Sequence, residues 1–387
     1  MRLLSFMEAS RRHLLSISFS QFGSACSWNF VQILLPFYIL KISPYPLHYT
    51  LLWTGAIMGS TSIVSAVTST FWGSLAHRFN PKLLYLRAMV GNMIAFLLMG
   101  FTTNLHLLLL LRILLGFVSG VSTIGMILVS SSSSKEKLAS DLGVFQSSMT
   151  FGQLVGPLLG SFAAAALGYT GAFIGASGIM FSSVVFCSLY VTNVPRLPRK
   201  EGVFGGLRLD KRVIVGWMLC SIAIIQLTFL PSVLPAVFEG FKIEQGLALK
   251  MAGTVVMLYT ATAMVGTYLL SRLSRRFGVD RMITVLLIFG IVLPSALAFS
   301  RDIVDFTVIR MAQAGLIAAT VPLIISLFAA ESKGGVIGFL NSSRFVGNAL
   351  GPIIGTSILA FSNLTGLYFL IGGMTLFGFL CFKLFFR

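Results

Sequence analysis

Long apolar segments separated by short polar loops follow one another from one end of the chain to the other. Each segment is long enough to cross a bilayer as a helix, which takes about 20 apolar residues. Helices are expected because lipid offers the backbone no hydrogen-bond partners, and the segments lack the alternation of membrane barrel strands. The predicted spans are residues 14–40, 50–72, 83–103, 106–130, 142–168, 170–192, 213–238, 250–271, 282–300, 306–329, 337–362 and 365–386.

The one long polar stretch, residues 193–212, divides these spans into two sets of six. It contains two prolines, three glycines and six basic residues, which is typical of a linker. We therefore predict an N-terminal six-helix half at 1–192, a cytoplasmic linker at 193–212 and a C-terminal half at 213–387.

The two halves also repeat in sequence. Residues 143–160 align without gaps to residues 338–355, and seven of the 18 positions are identical. Arg112 and Arg310 correspond at a nearly equal offset. Duplicated six-helix halves are typical of secondary transporters, which bind substrate between the halves near the middle of the membrane. The predicted fold class is therefore an all-α integral membrane protein with twelve transmembrane helices in two pseudo-symmetric six-helix bundles.

Composition and charge exclude several other classes. The 387 residues are 56% hydrophobic and only 10% charged, unlike a soluble enzyme, a secreted disulfide module or a disordered chain. The formal charge of +17 is dispersed over short loops, so we expect no nucleic-acid partner. With both termini in the cytoplasm, only four of the 28 Lys and Arg residues fall outside and three within spans. This distribution follows the positive-inside rule.

Candidate chemistry for an enzyme or a metal centre is sparse. The four cysteines lie inside apolar runs without CxxC spacing, and the four histidines show no ligand spacing. The chain has no phosphate-binding GxxxxGK[ST] motif. We expect no enzyme activity, no cofactor and no metal site. The first apolar run is too long for a signal peptide, so we interpret it as a retained span.

Three motifs resemble the major facilitator superfamily, specifically its twelve-span drug:proton antiporter branch. The segment 73–82, between spans 2 and 3, matches the family's loop motif at Gly73, Leu75, Ala76, Arg78 and Lys82. It departs from the motif at His77, where the family usually has aspartate, and at Asn80 and Pro81. Arg112 resembles the arginine of span 4, and residues 152–160 resemble the glycine–proline motif of antiporters in span 5. From these motifs and their repeat partners, the candidates for gating or conformational roles are Gly73, His77, Arg78, Arg112, Asp141, Gly152, Gly156, Pro157, Gly160, Arg310, Gly351 and Pro352.

Each motif also has a simpler interpretation. The small residues of span 5 allow close approach of a neighbouring helix, either as static packing or as a hinge that Pro157 bends. The basic residues of the 73–82 loop either brace the cytoplasmic gate, with Asp141 as an acidic partner, or only set the topology.

The predicted spans have no Asp or Glu near their middle. Proton antiport, which the resemblance implies, typically needs such a group, because a carboxylate can bind a proton inside the membrane. Three arginines, Arg112, Arg310 and Arg344, lie at membrane depth instead. They either snorkel and bind backbone carbonyls, or give a binding cavity positive potential. In the second case we expect neutral or anionic solutes.

The function predicted from these features is secondary transport of a small organic solute by alternating access. The resemblance implies export, and import or facilitated diffusion of an anionic or neutral metabolite is the alternative. A non-transporting scaffold and a lipid-modifying enzyme fit less well. We expect a monomer in the inner membrane, with the substrate and bilayer lipid as its partners. The candidate substrate-binding residues are Asn29, Gln32, Tyr38, Gln146, Gln226, Tyr259, Asn341 and Arg344.

Overall fold

The computed structural model describes residues 2–75, 78–134, 136–193, 210–329 and 334–386, and these residues are almost entirely helical. The helices are α1 Arg2–Ile42, α2 Leu47–Leu75, α3 Pro81–Phe101, α4 Leu105–Val118, α5 Val121–Ser132, α6 Leu138–Tyr190, α7 Lys211–Thr228, α8 Leu230–Gly240, α9 Gln245–Phe277, α10 Val279–Ala296, α11 Ile303–Ile317, α12 Thr320–Ala329, α13 Gly334–Phe361 and α14 Leu364–Phe385. A single 3₁₀ turn, Leu297–Phe299, follows α10.

The described residues contain eleven helical stretches that are long and apolar enough to cross a membrane. One of them, Ser140–Tyr190, has 51 residues, far more than a single crossing needs. It bends at Gly168, whose φ of 71° and ψ of 176° are not helical and are readily adopted by glycine. This bend separates predicted spans 5 and 6, so the twelve-span all-helical fold is confirmed.

Three predicted spans are each made of two helices. The span predicted at 106–130 breaks between α4 and α5, where Gly120 has a φ of +119°. The span predicted at 213–238 breaks between α7 and α8, just before Pro231, and the span predicted at 306–329 breaks between α11 and α12. The prediction from hydropathy that each of these three spans is one continuous helix is therefore wrong. Hydropathy registers only the length of an apolar run, whereas local backbone geometry decides where a helix breaks.

Contacts divide the chain into two compact units, Met1–Tyr38 with Ile63–Lys200, and Ile39–Ser62 with Glu201–Arg387. In the first unit, α3 packs along α6 and also contacts α4 and α5. In the second unit, α7 packs along α13, α9 along α11 and α10 along α14. Leu219, Leu286 and Ile324 belong to the buried apolar core of the second unit. The domain limits predicted from sequence remain a prediction.

Candidate functional site

The glycines of the span 5 motif bring α6 into direct contact with the backbone of α1. A Cβ atom added at Gly156 would lie 2.5 Å from the carbonyl oxygen of Cys26 and 3.1 Å from the amide nitrogen of Phe30. At Gly160 it would lie 2.5 Å from the carbonyl oxygen of Phe30. Gly152 faces α1 in the same way at Phe22. Only glycine permits this approach, as the small-residue pattern predicted.

The second unit reproduces this contact in α13 and α7. Gly347 faces Ser221 and Ile224, as Gly152 faces Phe22 and Ala25, at positions 199 residues lower. Gly351 faces Thr228 and Phe229, as Gly156 faces Asn29 and Phe30. Gly355 faces Phe229 and Ser232, as Gly160 faces Phe30 and Ile33. The sequence repeat therefore corresponds to a repeated helix packing, residue for residue. Pro157 and Pro352 each follow the central glycine of their motif and are buried inside α6 and α13.

Arg112 lies wholly inside the first unit, with 0% of its surface exposed. Its Nη2 atom donates a hydrogen bond to Oε1 of Gln32 on α1, at 3.1 Å. Its guanidinium carbon is 5.5 Å from the centre of the Trp28 ring, a cation–π distance. A hydrogen bond and an aromatic face thus stabilise a charge that would be costly in lipid.

Arg310 is buried to the same degree in the second unit. Its Nη2 donates to the carbonyl oxygen of Leu227, at 3.1 Å. That carbonyl lacks its usual helical partner, since Pro231 four residues later has no N–H. The guanidinium carbon lies 4.6 Å from the centre of the Tyr259 ring and 5.0 Å from that of Phe229.

The acceptors of these two arginines differ for a reason that the repeat makes visible. By the packing offset of 199, Gln32 corresponds to Pro231. In the first unit the glutamine side chain itself supplies the acceptor, and in the second unit the proline frees a backbone carbonyl that supplies it. The residue at this position, Gln32 in one unit and Pro231 in the other, therefore determines which acceptor the buried arginine of that unit has.

A hydrogen-bond network continues from Arg310 through the core of the second unit. Arg310 Nη1 donates to Oε1 of Gln313, whose Nε2 donates to Oε1 of Gln226, both at 2.9 Å. Gln226 Nε2 donates to the carbonyl oxygen of Gly290 at 2.9 Å and to Oγ1 of Thr375 at 2.5 Å. Two candidate substrate residues therefore already have partners inside the second unit: Gln226 in this network, and Tyr259 against the Arg310 guanidinium. Gln313 was missed from sequence, although its spacing of three from Arg310 places it on the same helix face.

The other substrate candidates are more accessible or are hydrogen-bonded within their own unit. Asn29 donates to the carbonyl oxygen of Ala25 one turn earlier, at 2.9 Å. Tyr38 donates to the carbonyl oxygen of Thr102, at 2.6 Å. Gln146 is half-buried on α6, whereas Asn341 and Arg344 are both exposed, one turn apart on α13. Their roles in binding stay predictions.

The break in span 4 is stabilised by groups that the sequence pattern does not single out. The last carbonyls of α4 have no helical partner because the helix ends at Val118. Trp72 Nε1 donates to the carbonyl oxygen of Phe117 at 2.6 Å, and Thr68 Oγ1 donates to that of Gly116 at 3.0 Å. Arg87 Nη2 donates to the carbonyl oxygens of Val118 at 2.9 Å and Ser119 at 3.4 Å.

Arg87 is a well-placed cap for this helix end. Its positive charge lies at the negative end of the α4 dipole. Its guanidinium carbon is 3.2 Å from the centre of the Trp72 ring. An arginine within a predicted span was the available sequence signal, but only the fold reveals that it faces a helix break.

The 73–82 loop is described only in part. Gly73 lies in the last turn of α2, Arg78 is exposed just after that helix, and His77 lies outside the described residues. Asn80 and Pro81, which depart from the family motif, begin α3: Asn80 Oδ1 accepts from the amide of Lys82 at 2.9 Å, and Pro81 occupies the first helical position.

Acidic groups in the described spans lie only at their ends. Asp141 is half-buried in the first turn of α6, and Asp280 and Asp305 lie in the first turns of α10 and α11. Glu239 lies one residue before the end of α8, and Glu244 is the N-cap of α9. No group of three or more His, Cys, Asp or Glu in the described part of the chain is arranged to hold a metal ion.

A bundle of membrane-length helices in two repeated sets, with buried polar networks and glycine-packed spans, defines a multi-pass membrane transport protein. A sequence profile described as Major Facilitator Superfamily matches residues 17–309. The chain belongs to this family, whose members are transporters and not enzymes.

Relatives and solved structures agree with this assignment. The chain is 25% identical over 366 residues to the multidrug resistance protein MdtG of Klebsiella pneumoniae (strain 342), covering 92% of this chain and 89% of that protein. It is 26% identical to the MFS-type transporter YuxJ of Bacillus subtilis (strain 168) over 367 residues, covering 90% and 92%.

Solved structures share the fold at low sequence identity. A bacterial homolog of the human lysosomal transporter Spinster superposes with a TM-score of 0.80 at 13% identity, covering 96% of this chain and 95% of the other. The nucleoside transporter NupG superposes with a TM-score of 0.79 at 13% identity, covering 97% and 99%. These two structures support the fold alone.

Proposed function

We propose that this protein exports a small organic solute, neutral or anionic, across the cytoplasmic membrane by alternating access. Transport of a small molecule by a multi-pass membrane protein follows from the family. The direction is inferred from the glycine–proline motif at 152–160 and from MdtG relatives that are named for multidrug resistance. Import or facilitated diffusion is the alternative.

The observation that carries the substrate class is the distribution of charge at membrane depth. The described acidic side chains lie at helix ends, whereas Arg87, Arg112, Arg310 and Arg344 lie well inside spans. Arg112 and Arg310 are buried in polar networks of their own units, and Arg344 is exposed on α13. A low-dielectric environment with fixed positive charge repels cations and attracts anions.

Arg344 is the proposed contact for an anionic group. Its repeat partner in span 5 is Met149, so the duplicated packing does not account for an arginine at this position. Asn341, one turn earlier on the same helix, is also exposed and offers a neutral hydrogen-bonding group.

Transport by purified protein in proteoliposomes tests this proposal. An anionic, a neutral and a lipophilic cationic dye are offered with imposed pH or sodium gradients. We expect uptake into inside-out vesicles for the anionic and neutral dyes. Arg344→Gln should lower transport of the anion by about tenfold or more and of the neutral dye much less, as expected for loss of one charged hydrogen bond of about 1.5–3 kcal/mol.

Arg344→Lys is the matched control, since it keeps the charge and should retain most anion transport. Preference for the lipophilic cation, together with an Arg344→Gln protein that behaves as wild type, would overturn the substrate class. Accumulation only in right-side-out vesicles would instead show import. The two readouts separate substrate from direction.

A further inference from the structure

One buried imidazole joins the N-terminal part of α1 to the end of α6. His13 lies in α1 and is 6% exposed. Thr192 follows the last residue of α6, Tyr190, by two positions. The amide nitrogen of Thr192 is 3.1 Å from Nδ1 of His13, and the Thr192 hydroxyl oxygen is 2.8 Å from the same atom. The N-terminal part of α1 and the end of α6, which are distant in sequence, therefore meet at a single nitrogen.

The direction of the amide hydrogen bond fixes the protonation state of His13. A backbone N–H can only donate, so Nδ1 must carry a lone pair and the hydrogen of the neutral ring must sit on Nε2. In the imidazolium form both nitrogens are donors. The Thr192 hydroxyl could turn to accept from a protonated Nδ1, but the Thr192 amide could not. The contact as it stands requires neutral His13.

The surroundings make a charged His13 unfavourable. The Nε2 atom is buried and has no hydrogen-bond partner among the described residues. Lys82 of α3 acts electrostatically on the ring, and its Nζ donates to the carbonyl oxygen of Ser188 in α6 at 2.9 Å. A proton on the buried His13 ring would therefore add a second positive charge within the electrostatic reach of the first.

Among the residues that the structure describes, the other titratable and charged groups near His13 are few. Cys187 of α6 also lies in the field of Lys82, and Tyr85 of α3 lies near Cys187. On α1 itself, Arg11 and Arg12 are exposed. Of these side chain types only imidazole ordinarily changes charge between about pH 5 and pH 8.

We propose that His13 is a proton-binding site whose protonation releases the end of α6 from α1. The step is the transfer of one proton from solvent to the Nδ1 lone pair. It forms an N–H bond and breaks the hydrogen bond from the Thr192 amide. This site supplies the first unit with a buried titratable group in a chain whose predicted spans have no mid-span carboxylate. The proposal goes beyond solute export and holds for either direction of transport.

Amide hydrogen exchange of the full-length protein in nanodiscs tests the proposal. Exchange of peptides covering residues 187–193 is compared at about pH 5.5 and about pH 7.5 after correction for the intrinsic rate. Wild type should lose protection about fivefold or more on acidification, as expected for a lost hydrogen bond. In His13→Asn, the side-chain oxygen can accept from the Thr192 amide but cannot titrate, so protection should persist at both pH values. His13→Ala should be unprotected at both.

Two controls keep the result decisive. His48→Asn, at an exposed position in the first turn of α2, should keep the pH dependence of wild type. Peptides covering residues 152–160 report whether a variant still packs α6 on α1. If these peptides lose their protection in His13→Ala, the comparison of wild type with His13→Asn alone tests the proposal. Equal wild-type protection at both pH values would overturn the proposal. So would an acid-induced loss in His13→Asn as large as that in wild type.

Discussion

Replacement of Gly156 by alanine tests whether the glycine contact between α6 and α1 is a tight backbone approach. The added Cβ would lie 2.5 Å from the Cys26 carbonyl oxygen. Carbon–oxygen contacts between backbones normally lie at about 3.3–3.6 Å, so the helices would have to separate by up to about 1 Å. Overpacking of this kind typically costs about 1–3 kcal/mol. The higher helix propensity of alanine offsets up to about 1 kcal/mol of this cost, because alanine favours the helix more than glycine does.

Gly178→Ala, in the second half of the same helix, is the matched control because nothing lies within 4 Å of its added Cβ. It receives the helical gain without the clash, so the two variants should differ by about 1–3 kcal/mol in the free energy of unfolding. Unfolding in mixed micelles with increasing SDS measures that difference. Equal stability of the two variants would refute a tight contact at Gly156. The larger Gly156→Leu should insert into the membrane but transport poorly, and wild-type turnover at equal abundance would contradict this.

Three further predictions address the polar groups and the topology. Arg87→Gln should destabilise the protein by about 1.5–3 kcal/mol in the same SDS assay, because the carbonyls of Val118 and Ser119 at the end of α4 lose a charged donor. Arg281→Gln, at an exposed residue of α10, should change little, and equal effects would contradict the capping role. Gln226→Leu should cost about 1–3 kcal/mol because it leaves the buried Gln313 amide without its acceptor, and unchanged stability would show that the network adds nothing. A cysteine introduced at position 200 should react with impermeant maleimide only from the cytoplasmic side, as the Lys and Arg distribution predicts, and labelling from outside in intact cells would reverse the topology.

The sequence by itself determined the class of fold and the repeat. A membrane span needs only a local run of apolar residues, so hydropathy alone predicts the twelve spans, which the described residues form as eleven apolar helical stretches with one bent at Gly168. The glycine pattern at 152–160 and its copy in span 11 likewise predicted close helix packing, because only small side chains on one face permit it. Both inferences depend on features within one helix.

Only the tertiary structure determines which helices the residues of each span contact. Hydropathy predicts neither the position of the break after α4 nor its caps, since Gly120 lies in an apolar run and Arg87 comes from another span. The sequence did not indicate the partners of Arg310 either, because one of them is a backbone carbonyl freed by Pro231.

Pairings between distant positions carry no local signature in an apolar chain. His13 and Thr192 belong to opposite ends of the first half, and neither stands out in its own segment. A buried polar group must find a partner when water is absent, but many positions in a helix bundle could supply one. The sequence therefore determines that such groups need partners in the membrane, and only the folded chain determines which partners they have.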